Sequence, residues 1–145
     1  MQDHMWANHV LAVIISIIVL TSGLIIAAMR KGSVALKSKS KRLKSITTTT
    51  NPHETLKIII FFAQQSNYKV SALDETKYQL VLDESPTLTS WGFFYPIFIS
   101  QHADNATLIE VGIKSKFVQI GPIVSRHHEK CVDGIKAALF ANNKN

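Results

Sequence analysis

The chain has 145 residues, which is room for one compact domain and an appendage but not for two domains. Its single cysteine, Cys131, excludes an intramolecular disulfide and a zinc site built from cysteines alone. The net charge of +6 arises in residues 30–51, which carry seven Lys or Arg and no acid; Asp3 removes one charge, and nine basic and nine acidic residues balance from residue 52 onward. The folded part of the chain is therefore neutral, and the basic character belongs to one short segment.

The first element is an uncharged run of 20 residues at positions 10–29. A helix of this length rises about 30 Å, which matches the hydrocarbon core of a bilayer. A cleaved signal peptide is the alternative, but residues 1–9 contain no Lys or Arg and no Ala-x-Ala site ends the run. We predict a transmembrane helix over 10–29. The positive charges that follow it predict a translocated N-terminus at 1–9 and a cytoplasmic C-terminal side.

Small residues form a stripe along this predicted helix. They are spaced 4, 7 and 4 residues apart, which places them on one face: Ala12, Ser16, Gly23 and Ala27. Such stripes let a second helix approach closely in lipid, so they are a candidate helix docking seam. The alternative is that small residues are simply common in membrane helices.

Residues 30–51 alternate Lys with Ser and end in a run of Thr, a composition that favours a flexible linker. Next to a membrane, its basic residues are expected to attract anionic lipid headgroups. These residues are Arg30, Lys31, Lys37, Lys39, Lys41, Arg42 and Lys44. No aromatic residue interleaves them for base stacking, so we predict no specific nucleic-acid partner.

A soluble α+β domain is predicted over residues 52–145. Asn51, Pro52 and Glu54 form a helix start, and this helix is expected to run to about residue 66. Alternating patterns predict about five mostly antiparallel strands, at 68–73, 77–83, 92–100, 107–114 and 116–120. Apolar residues at helical spacing predict a terminal helix over 123–141, in which Gly134 suggests a close approach to a strand. The order helix, strands, helix predicts a two-layer domain with both helices on one face of the sheet.

The densest aromatic stretch is Trp91-Gly-Phe-Phe-Tyr-Pro-Ile-Phe-Ile. If one face of this strand meets the helices, Phe94 and Phe98 lie on the open face and form, with Trp91, a candidate partner patch. Pro96 hints at an edge or a bulge, because it has no N–H for a ladder hydrogen bond. The alternative is that the loop at 85–90 folds over these rings.

Basic side chains at the start of the terminal helix are a candidate anion site, because cations there oppose the helix dipole unless an anion lies among them. They are Arg126, His127 and Lys130. A metal would use His127 and Cys131, but no third and fourth ligands are identified, so packing is the preferred interpretation of Cys131. No catalytic motif is found, and we predict no catalytic residue, metal or cofactor.

Two stretches carry a resemblance to known proteins. They are Trp91-Gly-Phe-Phe-Tyr-Pro-Ile-Phe-Ile-Ser and Glu110-Val-Gly-Ile-Lys-Ser-Lys-Phe-Val-Gln-Ile-Gly-Pro-Ile-Val-Ser-Arg-His-His. In both, the chain resembles small uncharacterised single-span membrane proteins of cyanobacteria and plastids. The resemblance implies a thylakoid or plasma membrane and an accessory role in photosynthetic complexes.

Two functions follow as expectations. The first is a non-enzymatic accessory or assembly factor that docks to an integral membrane protein complex. The alternative is a membrane-tethered domain that binds an anionic small molecule or a lipid headgroup.

Overall fold

The computed structural model describes residues 2–29, 31–37, 40–102, 105–119 and 121–142. Four helices and six strands follow one another in these described ranges. In order they are α1 (Gln2–Met29), α2 (Ser33–Leu36), β1 (Leu43–Thr48), α3 (Pro52–Gln65), β2 (Tyr68–Asp74), β3 (Gln79–Glu84), β4 (Phe93–Gln101), β5 (Thr107–Gly112), β6 (Lys114–Ser115) and α4 (Pro122–Asn142).

The α1 helix contains one stretch, His9–Ala27, that is long and apolar enough to cross a membrane, with a mean hydropathy of 2.9 and only 11% of it buried. Serine side chains within this stretch form hydrogen bonds with the backbone of the same helix. The hydroxyl of Ser16 donates to the carbonyl oxygen of Ala12 at 2.8 Å, and that of Ser22 donates to Ile18 at 2.7 Å. These back-bonds leave little that is polar on the surface of the span.

The sheet is antiparallel, with strand order β1-β5-β4-β3-β2, and β6 pairs with the start of β4. The ladder between β4 and β5 begins at Ile97, and the ladder between β4 and β6 covers only Phe93 and Phe94. Pro96 lies at the interruption between these two ladders. A residue without an N–H is tolerated there, because neither β5 nor β6 is paired with it.

The first domain helix starts where its cap predicts. The side chain of Asn51 accepts a hydrogen bond from the backbone N–H of Glu54 at 2.9 Å, and Pro52 occupies the first turn. Both α3 and α4 then pack on the same face of the sheet, where Ile59, Leu82 and Ile135 belong to one buried core. The predicted α+β arrangement of two helices on one sheet face is confirmed.

The prediction of a flexible linker over residues 30–51 is wrong. Residues 33–36 form α2, which lies on the other face of the sheet, and residues 43–48 form β1, an edge strand paired with β5. The reason is alternation within a basic context, because Ile46 and Thr48 point inward and are buried while their neighbours face solvent. An edge strand needs only every second residue to be buried, so the polar composition of this segment does not exclude a strand.

The predicted strand at 116–120 is also wrong, because β6 ends at Ser115. Lys116 turns inward instead, is 4% exposed, and forms an ion pair with Asp83 of β3. Residue 120 lies outside the described residues.

Gly134 allows a close approach to a helix, not to a strand as predicted. A β-carbon placed on it would lie 2.6 Å from Cζ of Phe62 in α3. The two helices of the layer therefore meet over this glycine.

Candidate functional site

A cleft of about 1080 Å³ opens at the end of the sheet where β2 begins and β3 ends. Its walls come from the turn after α3, the loop at residues 85–89 and one face of α4. Most of the lining residues are polar, among them Gln65, Asn67, Lys69, Glu84, Thr87, Thr89, His127 and Lys130. We call this space the Glu84 cleft.

Three side chains form a hydrogen-bonded network at the floor of the Glu84 cleft. The hydroxyl of Tyr95, on the helix-facing side of β4, donates to Oε2 of Glu84. Nδ1 of His127 lies 3.0 Å from Oε1 and 3.1 Å from Oε2 of the same carboxylate. The Glu84 and His127 side chains are 12% and 20% exposed, so the network is largely buried but open to the cleft.

This geometry fixes the tautomer of His127. An ionised carboxylate only accepts hydrogen bonds, so Nδ1 of His127 must carry the hydrogen that it donates to Glu84. Nε2 is then the acceptor of the neutral ring, or a second donor once the ring is protonated. The ring packs against Phe93, with centroids 4.9 Å apart, which holds its orientation.

Two further groups lie behind the network. The Tyr68 hydroxyl is buried without a hydrogen-bond partner of ordinary geometry among the described residues, and the thiol of Cys131 interacts weakly with it. Burial, followed by the nearby charges, raises the pKa of Tyr68, and burial with the charge of Glu84 raises the pKa of Cys131. Burial is also the first cause of the raised pKa of Tyr95. All three stay neutral, so Cys131 is a packed thiol without nucleophilic character.

The predicted anion site at the start of α4 is only partly assembled. His127 and Lys130 both line the Glu84 cleft, whereas Arg126 is exposed on α4. His127 is already committed to Glu84, so it does not offer an uncompensated positive charge. The adjacent His128 is buried and donates from Nε2 to the carbonyl oxygen of Val111 at 2.8 Å.

The predicted helix docking seam is split between two environments. Ala12 and Ser16 are exposed on α1, but Gly23 and Ala27 are buried. A β-carbon placed on Gly23 would lie 3.0 Å from Cζ3 of Trp91, so the indole ring of the domain packs directly on the glycine. The seam is thus covered at Gly23 by the protein's own domain.

The predicted partner patch is similarly used within the molecule. Phe94 is 5% exposed and packs with Ala35 of α2 and with Val81, so of the two alternatives the covered one holds for this residue. The helix that packs on it is α2. Phe98 remains half-buried, and Trp91 packs on Gly23 and on Phe117, whose ring centroid is 5.3 Å away.

The five basic residues that the structure describes lie in three different surroundings. Lys31 and Lys37 are exposed beside α2, while Lys41 and Arg42 line a shallow pocket at the start of α4. Lys44 in β1 pairs with Glu129 at 3.2 Å. Arg30 and Lys39 lie outside the described residues.

Sequence reasoning did not find the Tyr95–Glu84–His127 network. Its members are 11 and 32 residues apart along the chain, so no short motif joins them. The one available signal was the alternation of β4, which places Tyr95 on the helix side. Within the described part of the chain, no group of three or more His, Cys, Asp or Glu is placed to hold a metal ion.

No protein-family model and no curated protein matches the sequence. Among solved structures, the crystal structure of Ara h 8.0201 is similar to this chain with a TM-score of 0.53 and 14% identity, over 68% of this chain and 93% of that one. At this identity the likeness concerns the fold alone.

Proposed function

We propose that this protein is a membrane-anchored, non-enzymatic binding domain whose Glu84 cleft takes a molecule that carries both an anionic group and hydroxyls. The observation that carries the proposal is the buried Tyr95–Glu84–His127 network at the floor of the cleft. A carboxylate held by two donors in a partly buried site is an oriented hydrogen-bond acceptor, and such sites concentrate where ligands bind.

The rim of the cleft complements its floor. Lys69 and Lys130 are both exposed residues that line the cleft, so two positive charges accompany the one negative charge of Glu84. The lysines suit a phosphate or carboxylate at the mouth, while the carboxylate of Glu84 suits ligand hydroxyls below it. A phosphorylated polyol has this chemistry, either as a free molecule or as a lipid headgroup.

The membrane anchor is the α1 helix. The exposed apolar stretch His9–Ala27 and the basic residues that follow support a single span with the N-terminus translocated and the domain in the cytoplasm. The resemblance to cyanobacterial and plastid proteins adds the proposal of a thylakoid membrane.

The test is a titration of the full chain in nanodiscs of phosphatidylcholine, followed by NMR. Glycerol phosphate serves as the free probe, and phosphatidylglycerol mixed into the nanodisc serves as the lipid probe. We expect the amides of Glu84, His127 and Lys130 to shift with one probe, which identifies the source of the headgroup. If neither probe moves these amides, the proposed ligand class is wrong.

A matched pair of variants assigns the rim. Lys130→Met should weaken binding at least fivefold, because the rim loses one of its two charges. Lys136→Met removes an exposed charge from the same helix at a position paired with Asp133 at 3.6 Å, and should leave binding unchanged. Equal losses in both variants would mean that only the net charge matters.

Docking to a membrane protein complex is a second candidate. It is favoured by Phe61, which is 62% exposed beside an apolar groove of about 690 Å³ between α3 and α4, and by the exposed Ala12 and Ser16 of α1. Purification in mild detergent should then recover defined partners that Ser16→Leu or Phe61→Ser loses. Recovery of the same proteins by both variants would contradict this role.

A further inference from the structure

Away from the cleft, the loops that contain Leu88 and Val118 expose apolar side chains to solvent. Leu88, at the tip of the turn at residues 87–90, is fully exposed, and Val118 is 80% exposed. The two loops are joined, because the N–H of Lys116 donates to the carbonyl oxygen of Gly92 at 3.2 Å and the Trp91 and Phe117 rings pack together. Leu88 and Val118 therefore flank one aromatic pair.

That aromatic pair touches the anchor inside its apolar stretch. The ring of Trp91 lies on Gly23, which is four residues before the end of His9–Ala27. At 1.5 Å per residue, this contact lies about 6 Å inside the end of the stretch. Trp91 is thus placed at the depth where a tryptophan side chain is favoured at a membrane interface.

The apolar stretch is too short to span the bilayer if the contact between Trp91 and Gly23 lies in water. If Gly23 and the residues after it stood outside the bilayer, only residues 10–22 would remain as the uncharged span. Those 13 residues rise about 20 Å, well short of the roughly 30 Å hydrocarbon core. The apolar stretch stays in the membrane only if Trp91 and its neighbours come down to the bilayer surface.

We infer that the domain docks on the bilayer, with Leu88 and Val118 inserted into the interfacial layer beside Trp91 and Phe117. This inference rests on the membrane anchoring proposed above, and it adds a second, non-helical contact with lipid. The lipid is the occupant favoured by continuity, because the same patch is joined to the part of α1 that spans the membrane.

The experiment uses nitroxide labels on the full chain in phosphatidylcholine vesicles. Leu88→Cys and Val118→Cys probe the patch. Phe140→Cys is the matched control, since it is 65% exposed but lies beside Ala106, at the opposite end of β4 from Trp91. Cys131 is fully buried, so the unmutated protein supplies the labelling blank. Accessibility to oxygen, which dissolves in lipid, is compared with accessibility to a water-soluble nickel chelate.

We expect labels at 88 and 118 to be more accessible to oxygen than to nickel, and the label at 140 to show the reverse. Equal nickel accessibility at 88 and 140 would overturn the inference. Protection of 88 from both reagents would also overturn it, because a protein surface and not lipid would then cover the patch.

A label at Ile18→Cys separates this inference from the anchoring on which it rests. If position 18 is accessible to nickel, α1 does not span the membrane and both proposals fail. If position 18 is in lipid while position 88 is in water, the anchor stands and only the docking fails.

A second pair of variants tests the role of the contact with α1. Gly23→Leu should displace the Trp91 ring and raise the nickel accessibility of a label at 88 severalfold. Ser16→Leu adds the same side chain at an exposed position of the helix and should leave that accessibility unchanged. An unchanged label depth in Gly23→Leu would contradict the proposed coupling of the docking to α1.

Discussion

Tyr95 and His127 approach the same carboxylate from different layers of the molecule, one from the centre of the sheet and one from α4. Tyr95→Phe removes a donor to a buried, ionised acceptor. We expect a loss of about 1.5–3 kcal/mol in the free energy of unfolding, the range for hydrogen bonds to charged groups. Denaturant unfolding of the full chain in micelles measures it. Tyr78→Phe, in the turn between β2 and β3, is the control and should cost clearly less.

The loop that carries Trp91 depends on Gly92, whose φ is +80° and whose added β-carbon would lie 2.5 Å from the carbonyl oxygen of Glu84. Gly92→Ala should destabilise the protein by more than about 2 kcal/mol, because backbone strain and a steric clash add. Gly121→Ala is the matched control, since its φ is +83° but no atom lies within 4 Å of the added carbon. Thermal unfolding compares them, and equal costs would mean that the clash relaxes.

Lys116 and Asp83 form a buried ion pair, with the Lys116 ammonium 4.9 Å from the centroid of the Phe94 ring. Lys116→Met should cost about 3–5 kcal/mol, because it leaves a largely buried carboxylate without its partner. Adding Asp83→Leu should recover a large part of that loss. A double-mutant cycle in denaturant measures the recovery, and additive losses would show that the pair is not coupled.

The pH dependence of stability should follow His128. Burial lowers the pKa of this histidine, with the charges of Lys44 and Arg42 adding to the effect, so the folded state resists its protonation. Its contribution is complete above the ordinary pKa of about 6.5 and is lost as the pH falls below it. His128→Gln should flatten the fall in stability between pH 7.5 and 5.5, at a cost of about 1–3 kcal/mol for the buried partner. His53→Gln changes a histidine whose side chain is 62% exposed and should keep the fall intact.

Much of the fold could be predicted because local signals agreed with the tertiary structure. Asn51 and Pro52 define the start of α3 from the sequence, and alternation along β4 puts Tyr95 on the helix side. The edge strand β1 was not predicted because its partner strand, β5, is distant in sequence: the paired residues are 59 to 69 positions apart. Only that pairing makes Ile46 and Thr48 inward-facing positions.

The candidate site was less predictable than the fold. Its carboxylate, Glu84, ends a strand and has no local feature that marks it, and its histidine was interpreted from helix position alone. Glu84 and His127 become partners only in the folded protein, because the pairing of β3 with β4 and the packing of α4 bring their side chains together. The same effect removed Phe94 from the surface, since α2 covers a face that composition left open.

The residues that follow α1 contact the sheet after a very short connection. Gly32, three residues after the end of α1, already lies against Ser71 of β2, and Ala35 packs with Val81. If α1 spans a membrane as proposed, a domain held this closely does not move freely through the solvent. Its cleft would then stay at a fixed height above the bilayer, so a ligand that is a lipid headgroup would reach it by diffusion in the plane, at a rate set by the surface density of that lipid.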